Sequence, residues 1–203
     1  MLAPSVTAVV LVRVAFPFPV AENLAYVPHD KFFIQPHQVN LAPSVDKKFQ
    51  SELCRYQSGS TDCWLCKPQT YMNDSGFAVQ ALMDYYKLSI NEVMVIHDEI
   101  DLMPGTTRLK QDGGHGGHNG LRDIIQRTGR SEFLRLRIGV GHPGSKDKVV
   151  PYVLGRPNAE EEKKITDSFS LILGMSQELF QDDLNRLMTQ LNKRNKSEAD
   201  TLI

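Results

Sequence analysis

Glu92-Val93-Met94-Val95-Ile96-His97-Asp98-Glu99-Ile100-Asp101 decides the fold. An apolar, β-branched run ends in a cluster of acids, which predicts a strand over Glu92–His97 with its polar residues at the carboxyl end. Further strands are predicted on both sides, at Thr7–Val14 and Thr61–Lys67 before it and at Thr106–Lys110 and Phe133–Gly139 after it. Helices fall between and after them. Ser75–Leu88 carries Phe77, Val79, Ala81, Leu82 and Tyr86 near helical spacing, with Ser75 as its cap, and Asn119–Arg127 has Leu121, Ile124 and Ile125 on one face, with Asn119 as its cap. Asn158–Asn192 opens on Glu160, Glu161 and Glu162 and is followed by Lys193, Arg194 and Lys196, charges that suit a helix dipole at both ends; Gly174 divides it in two.

Strands alternating with helices predict an α/β fold, a mixed, mostly parallel, twisted sheet flanked by helices. At 203 residues the chain has the size of one domain and can bury a core without disulfides. A single domain is expected over residues 1–194, atypical over 1–47, with a polar tail at 195–203. The proline-punctuated stretch Pro17–Lys48 has no clear period. Net charge is −1, so no global positive field marks a nucleic-acid partner, although a local basic patch remains open. Cys63 and Cys66 form a C-x-x-C without a second pair at zinc-finger spacing. The line Cys63-Trp64-Leu65-Cys66 reads as a strand with alternating faces. The three cysteines form no disulfide pattern, which points to a reducing compartment, the cytoplasm. The first apolar run is interrupted at Arg13 and is too short to span a bilayer.

Gly113-Gly114-His115-Gly116-Gly117-His118-Asn119-Gly120 holds five glycines in eight residues. Such a run gives up side-chain burial, and the return is backbone close to a ligand or at positive φ. It is one of three polar clusters that follow predicted strands; the others are Lys67–Gly76 and His97–Asp101. In open α/β sheets the ligand crevice lies at the carboxyl ends of the strands, so all three are expected at one pocket. Taken singly, each has a plainer explanation: Asn73 as a turn residue, Asn119 as a helix cap, Asp98 as a solvated acid. His115 and His118 have no third ligand at a set spacing, which weighs against a metal pair. His97, Asp98, Glu99 and Asp101 leave a hard cation, and with it a metal-dependent phosphoesterase, as an alternative. The loop lacks both common phosphate-binding glycine patterns. Arg108 and Lys110 precede the loop and Arg122 follows it, while Arg135 and Arg137 alternate on the next strand; solvated surface charge and contact with a phosphate backbone are both open readings.

Three long runs, His97–Gly105, Gly113–Ile124 and Arg135–Gly144, resemble the bacterial peptidyl-tRNA hydrolase family. Pro68–Gly76 and Tyr152-Val153-Leu154 match it too, so the resemblance runs from about Lys48 into the C-terminal helices. The family cleaves the ester joining a peptide to the 3′ ribose of tRNA, recycling tRNA from stalled translation, without metal or cofactor. The resemblance implies catalytic roles for Asp98, Asn73, Asn119 and His118, and an aromatic contact to the tRNA end from Tyr71. It implies tRNA contacts also from Asn73 and Asn119, and a basic patch of Arg108, Lys110, Arg135 and Arg137 on the acceptor-stem phosphates. It implies a cytoplasmic monomer. In this chemistry a neutral imidazole takes a proton from water, and a carboxylate fixes that imidazole's tautomer.

One departure stands out. The family's first strand leads into Gly-x-x-Asn-Pro-Gly, a tyrosine and Thr-Arg-His-Asn, whose histidine is the general base. Here Val12 is followed by Arg13-Val14-Ala15-Phe16-Pro17-Phe18-Pro19-Val20, and the nearby His29 and His37 lie in other contexts. No general base is assigned. Two explanations stand: a shifted or misassigned reading over residues 1–47, or a variant that has lost its base and serves as an RNA-binding homologue.

Overall fold

The computed structural model describes residues 9–13, 44–58, 61–174 and 188–191. Seven strands form one mixed sheet: β1 (Val9–Arg13), β2 (Ser44–Asp46), β3 (Ser51–Ser58), β4 (Thr61–Pro68), β5 (Val93–Glu99), β6 (Thr107–Gln111) and β7 (Leu134–Gly139), in the order β2-β3-β4-β1-β5-β7-β6. Among the described residues they are accompanied by the helices α1 (Ser75–Tyr86), α2 (Asn119–Thr128), the short α3 (Val149–Leu154) and α4 (Ala159–Gly174), with a 3-10 turn at Met72–Asp74 ahead of α1.

β1 lies parallel to both β4 and β5, pairing Leu11 with Leu65 on one side and with Met94 on the other. Parallel neighbours need a crossover, and α1 lies between β4 and β5 in the chain. β5 is buried almost throughout, as expected of an apolar strand inside a sheet. β3 and β2 were not predicted. β3 runs antiparallel to β4 from Ser51↔Pro68 to Ser58↔Thr61, and the three-residue β2 pairs antiparallel with β3.

The chain divides into two compact units. The first comprises residues 1–15, 39–96 and 111–135, the second 16–38, 97–110 and 136–203. In the first unit Ala78, Val79 and Leu82 of α1 and Leu121 and Ile124 of α2 share one buried cluster with Val93, Val95, Leu53 and Phe133. In the second, Leu102, Leu109, Leu136, Ile138, Ile165 and Phe169 are buried. Gly139 is required there by close approach: a Cβ would stand 2.1 Å from the Met103 carbonyl oxygen.

The helix ends correct two predicted caps. Ser75 is the first residue of α1 rather than its cap, and its hydroxyl donates to the Met72 carbonyl at 2.9 Å. Asn119 opens α2, and His118 is the cap. Asn158 caps α4 instead of beginning it: its Oδ1 accepts from Glu161 N at 2.9 Å while Glu161 accepts from Asn158 N at 3.2 Å, a reciprocal capping box. α4 is described as far as Gly174; the break predicted there, residues 175–187 of the predicted second half, the 195–203 tail and most of Pro17–Lys48 lie outside the described residues.

Candidate active site

In the first unit, the segment after β4 turns sharply. Tyr71 is extended and 87% exposed, and Asn73 lies exposed in the 3-10 turn. The cap position of α1, Asp74, makes no side-chain cap bond. A carboxylate from another helix takes over: Asp123 of α2 accepts from Gly76 N at 2.7 Å. This needs glycine, because a Cβ at position 76 would meet the Asp123 carbonyl oxygen at 2.6 Å. Arg127, one turn along α2, donates from Nε to both Asp123 oxygens at 3.1 Å and from NH2 to Asp74 Oδ1. The turn bearing Asn73 is thereby tied to the helix that begins at Asn119.

The glycine loop, also in the first unit, is held at both ends. Gly113, Gly116 and Gly117 have positive φ, and no atom stands within 4 Å of a Cβ added at Gly114, Gly116 or Gly117. The side chains there are spared for conformation and access rather than for tight packing. At its start, the Arg135 guanidinium donates to the Gly114 carbonyl at 2.5 Å and to the Gly113 carbonyl, and stacks over Phe133 at 4.6 Å. Arg135 is 3% exposed, so the expected surface contact with tRNA phosphate is corrected: the charge is spent on loop carbonyls that no helix or strand satisfies. Asp112, itself at positive φ, accepts from Gly113 N and from Ser131 Oγ.

At the loop's far end His118 Nδ1 accepts from Gly120 N at 3.1 Å and Leu121 N at 3.3 Å. An accepting Nδ1 carries no proton, so the neutral ring carries its hydrogen on Nε2. His115 repeats the device, accepting from Gly117 N at 3.0 Å. Asn119 is exposed, with Oδ1 accepting from Arg122 at 2.8 Å.

In the second unit, Asp98 near the end of β5 is 9% exposed. Its backbone carbonyl accepts from the buried His97 ring at 2.7 Å, which sets His97 as the Nδ1–H tautomer. Arg137 of β7 is half-buried against Glu99, at 2.9 Å. β6 alternates cleanly: Thr107 and Leu109 are buried while Arg108 and Lys110 are exposed on one face. Among the described residues no three His, Cys, Asp or Glu side chains gather as a metal site would require.

Of the expected residues, Tyr71, Asn73, His118 and Asn119 thus belong to the first unit and Asp98, Arg108, Lys110 and Arg137 to the second. Sequence reasoning missed Asp123 and Arg127. Their four-residue spacing on one helix face, with opposite charges, was the available signal.

The fold and loop define the class: an α/β protein with an imidazole- and amide-bearing glycine loop ahead of a helix. The sequence matches the peptidyl-tRNA hydrolase family profile over residues 23–199, and the chain belongs to that family. It is 47% identical over 135 residues to a peptidyl-tRNA hydrolase of Idiomarina loihiensis, covering 66% of this chain and 67% of that one. The corresponding protein of Nitrosospira multiformis is 46% identical over 157 residues, covering 75% and 82%. The crystal structure of peptidyl-tRNA hydrolase from Acinetobacter baumannii superposes with a TM-score of 0.79 at 32% identity, over 92% of this chain and 95% of that one.

Proposed function

We propose that this chain acts on peptidyl-tRNA, hydrolysing the ester between the peptide and the 3′ ribose of the terminal adenosine. The observation that supports this best is the geometry around the glycine loop. Its backbone is held open by Arg135 and capped by His118, so that Asn119 stands exposed at the start of a helix. An ester carbonyl and a nearby water both need polar groups fixed in advance, and groups at the ends of regular elements supply that at little entropic cost. Asn119 and Asn73 hold the substrate end and the attacking water, the Nε2–H of His118 donates to the substrate, and exposed Tyr71 offers a face for the terminal base. Asp98 is the carboxylate suited to orient an imidazole acceptor and stabilise its imidazolium, and no residue is assigned as that acceptor. Arg108 and Lys110 carry the phosphate contacts, and Arg137, oriented by Glu99, adjoins them in this role. No metal or cofactor takes part.

Release of the N-acetyl-aminoacyl group from N-acetyl-aminoacyl-tRNA tests the assignment, with binding measured alongside. Asn119→Ala is expected to weaken binding or slow release about tenfold, with the fold intact. If an imidazole acceptor partners Asp98, Asp98→Asn is expected to lower the rate while leaving binding near that of the parent, because the amide misdirects that acceptor's tautomer. Unchanged kinetics and binding in both variants would place the site elsewhere.

A further inference from the structure

We propose that Asp123 is a positioning residue for the substrate end: with Arg127 it clamps the Asn73 turn onto α2 and so fixes how Asn73 stands relative to Asn119. The inference rests on the proposed roles of those two amides. Three observations carry it. The first is that α1 has no side-chain cap of its own, and the carboxylate on its second residue's N–H comes from Asp123 of α2. An exposed helix end could leave that N–H to water, and here Gly76 and Asp123 are brought too close for any Cβ. The second is that Arg127 grips Asp123 with its Nε and Asp74 with NH2, so one guanidinium spans both elements. Gln80 of α1 adds a bond to the Arg127 carbonyl at 3.0 Å. The third is position. Asp123 is four residues after Asn119, on the same face of α2, and Asp74 and Gly76 flank the first turn after Asn73.

A helix pair held only by apolar contacts can slide by tenths of an ångström at small cost. A carboxylate fixed by one backbone N–H and one guanidinium resists that motion, because displacement strands a charge that is only 12% exposed. The clamp acts through the amides and touches no reacting atom.

The test is a double-mutant cycle read by the Kd of a fluorescent minihelix ending in CCA, with the side-chain amide resonances of Asn73 followed by NMR. Asn73→Ala and Asp123→Ala are each expected to weaken binding about threefold to tenfold. In the Asn73→Ala background, Asp123→Ala is expected to add less than about twofold, since the group it positions is gone. The Asn73 amide resonances are expected to shift in Asp123→Ala and to return toward the parent in Asp123→Asn, which keeps an acceptor for Gly76 N–H. Fully multiplicative losses, or an unmoved Asn73 resonance, would overturn the clamp. If Asn73→Ala alone leaves Kd unchanged, the proposed role of Asn73 fails instead, and the resonance decides the clamp by itself. Should Asp123→Ala not fold, Arg127→Gln takes its place in the cycle, under the same criteria.

Discussion

Cys66 shows how far a residue's chemistry is set by where its strand sits. Its side chain lies in the core cluster, and burial pushes the thiol pKa up from 9.0 to about 12, with the Ser51 hydroxyl pulling the other way. A thiolate is the reactive form, so the folded protein presents an inert sulfur here. The consequence for stability has a definite sign. Below pH 9 the thiol is protonated in both folded and unfolded chains, and burial of the neutral group is fully effective. Between pH 9 and 12 the unfolded chain loses the proton and the folded one keeps it. The folded state then binds more protons, and stability falls as pH rises, by roughly 1.4 kcal/mol per unit for this one group. Urea unfolding from pH 8 to 11 is expected to show that slope in the parent and a shallower one in Cys66→Ala, whatever the variant's baseline loss from the small cavity. Equal slopes would mean that the thiol is not held neutral.

At the scale of elements, β6 and β7 place their basic residues in different surroundings. Arg108 and Lys110 stand exposed on β6, whereas Arg135 is buried against the glycine-loop carbonyls. Phosphate contacts release counterions, so each one contributes to the salt dependence of tRNA affinity, while a buried structural charge does not. Arg108→Gln and Lys110→Gln are each expected to flatten the plot of log affinity against log salt by roughly one unit. Arg135→Gln is expected to keep the parent slope even where affinity falls. A flattened slope in Arg135→Gln, with none in the other two, would reverse the assignment. This division was not legible in the sequence, where Arg135 and Arg137 look alike; what separates them is which carbonyls lack partners, a property of the folded loop. The strands around Val93–Ile96 and the helices from Ser75 and Asn119 were legible, because apolar period and turn residues agree there. β3 was not, since Ser51-Glu52-Leu53-Cys54-Arg55 mixes polar and apolar residues on a strand one in from the end of the sheet. Gly59-Ser60 between two extended runs was the overlooked hairpin signal. The caps were misplaced by one residue for a physical reason: an imidazole Nδ1 at position 118 and a carboxylate from position 123 do what Asn and Ser were expected to do.

At the scale of the whole molecule, the family's motifs are present from Pro68 to Leu154, while the motif that carries the family's general base has no counterpart in residues 1–47. Binding and chemistry draw on different parts of that inventory. The residues proposed to hold the tRNA end, Tyr71, Asn73, Asn119 and the β6 cations, all lie outside residues 1–47. Proton removal from water needs an acceptor near the pH of the reaction, and a positioned acceptor is worth about a hundredfold to ten-thousandfold. The chain is therefore expected to bind a CCA-ended minihelix as its residues allow, yet to release N-acetyl-aminoacyl groups at least about a hundredfold more slowly than an otherwise similar hydrolase with the full motif. Comparison with the Idiomarina loihiensis relative under the same single-turnover conditions measures both quantities. Equal rates would show that an acceptor is present after all, and His29→Ala and His37→Ala would then separate the two imidazoles of that segment by which one abolishes release. Weak binding together with slow release would instead place the fault in the tRNA-end site, and the Asn73 and Asn119 assignments would fall with it.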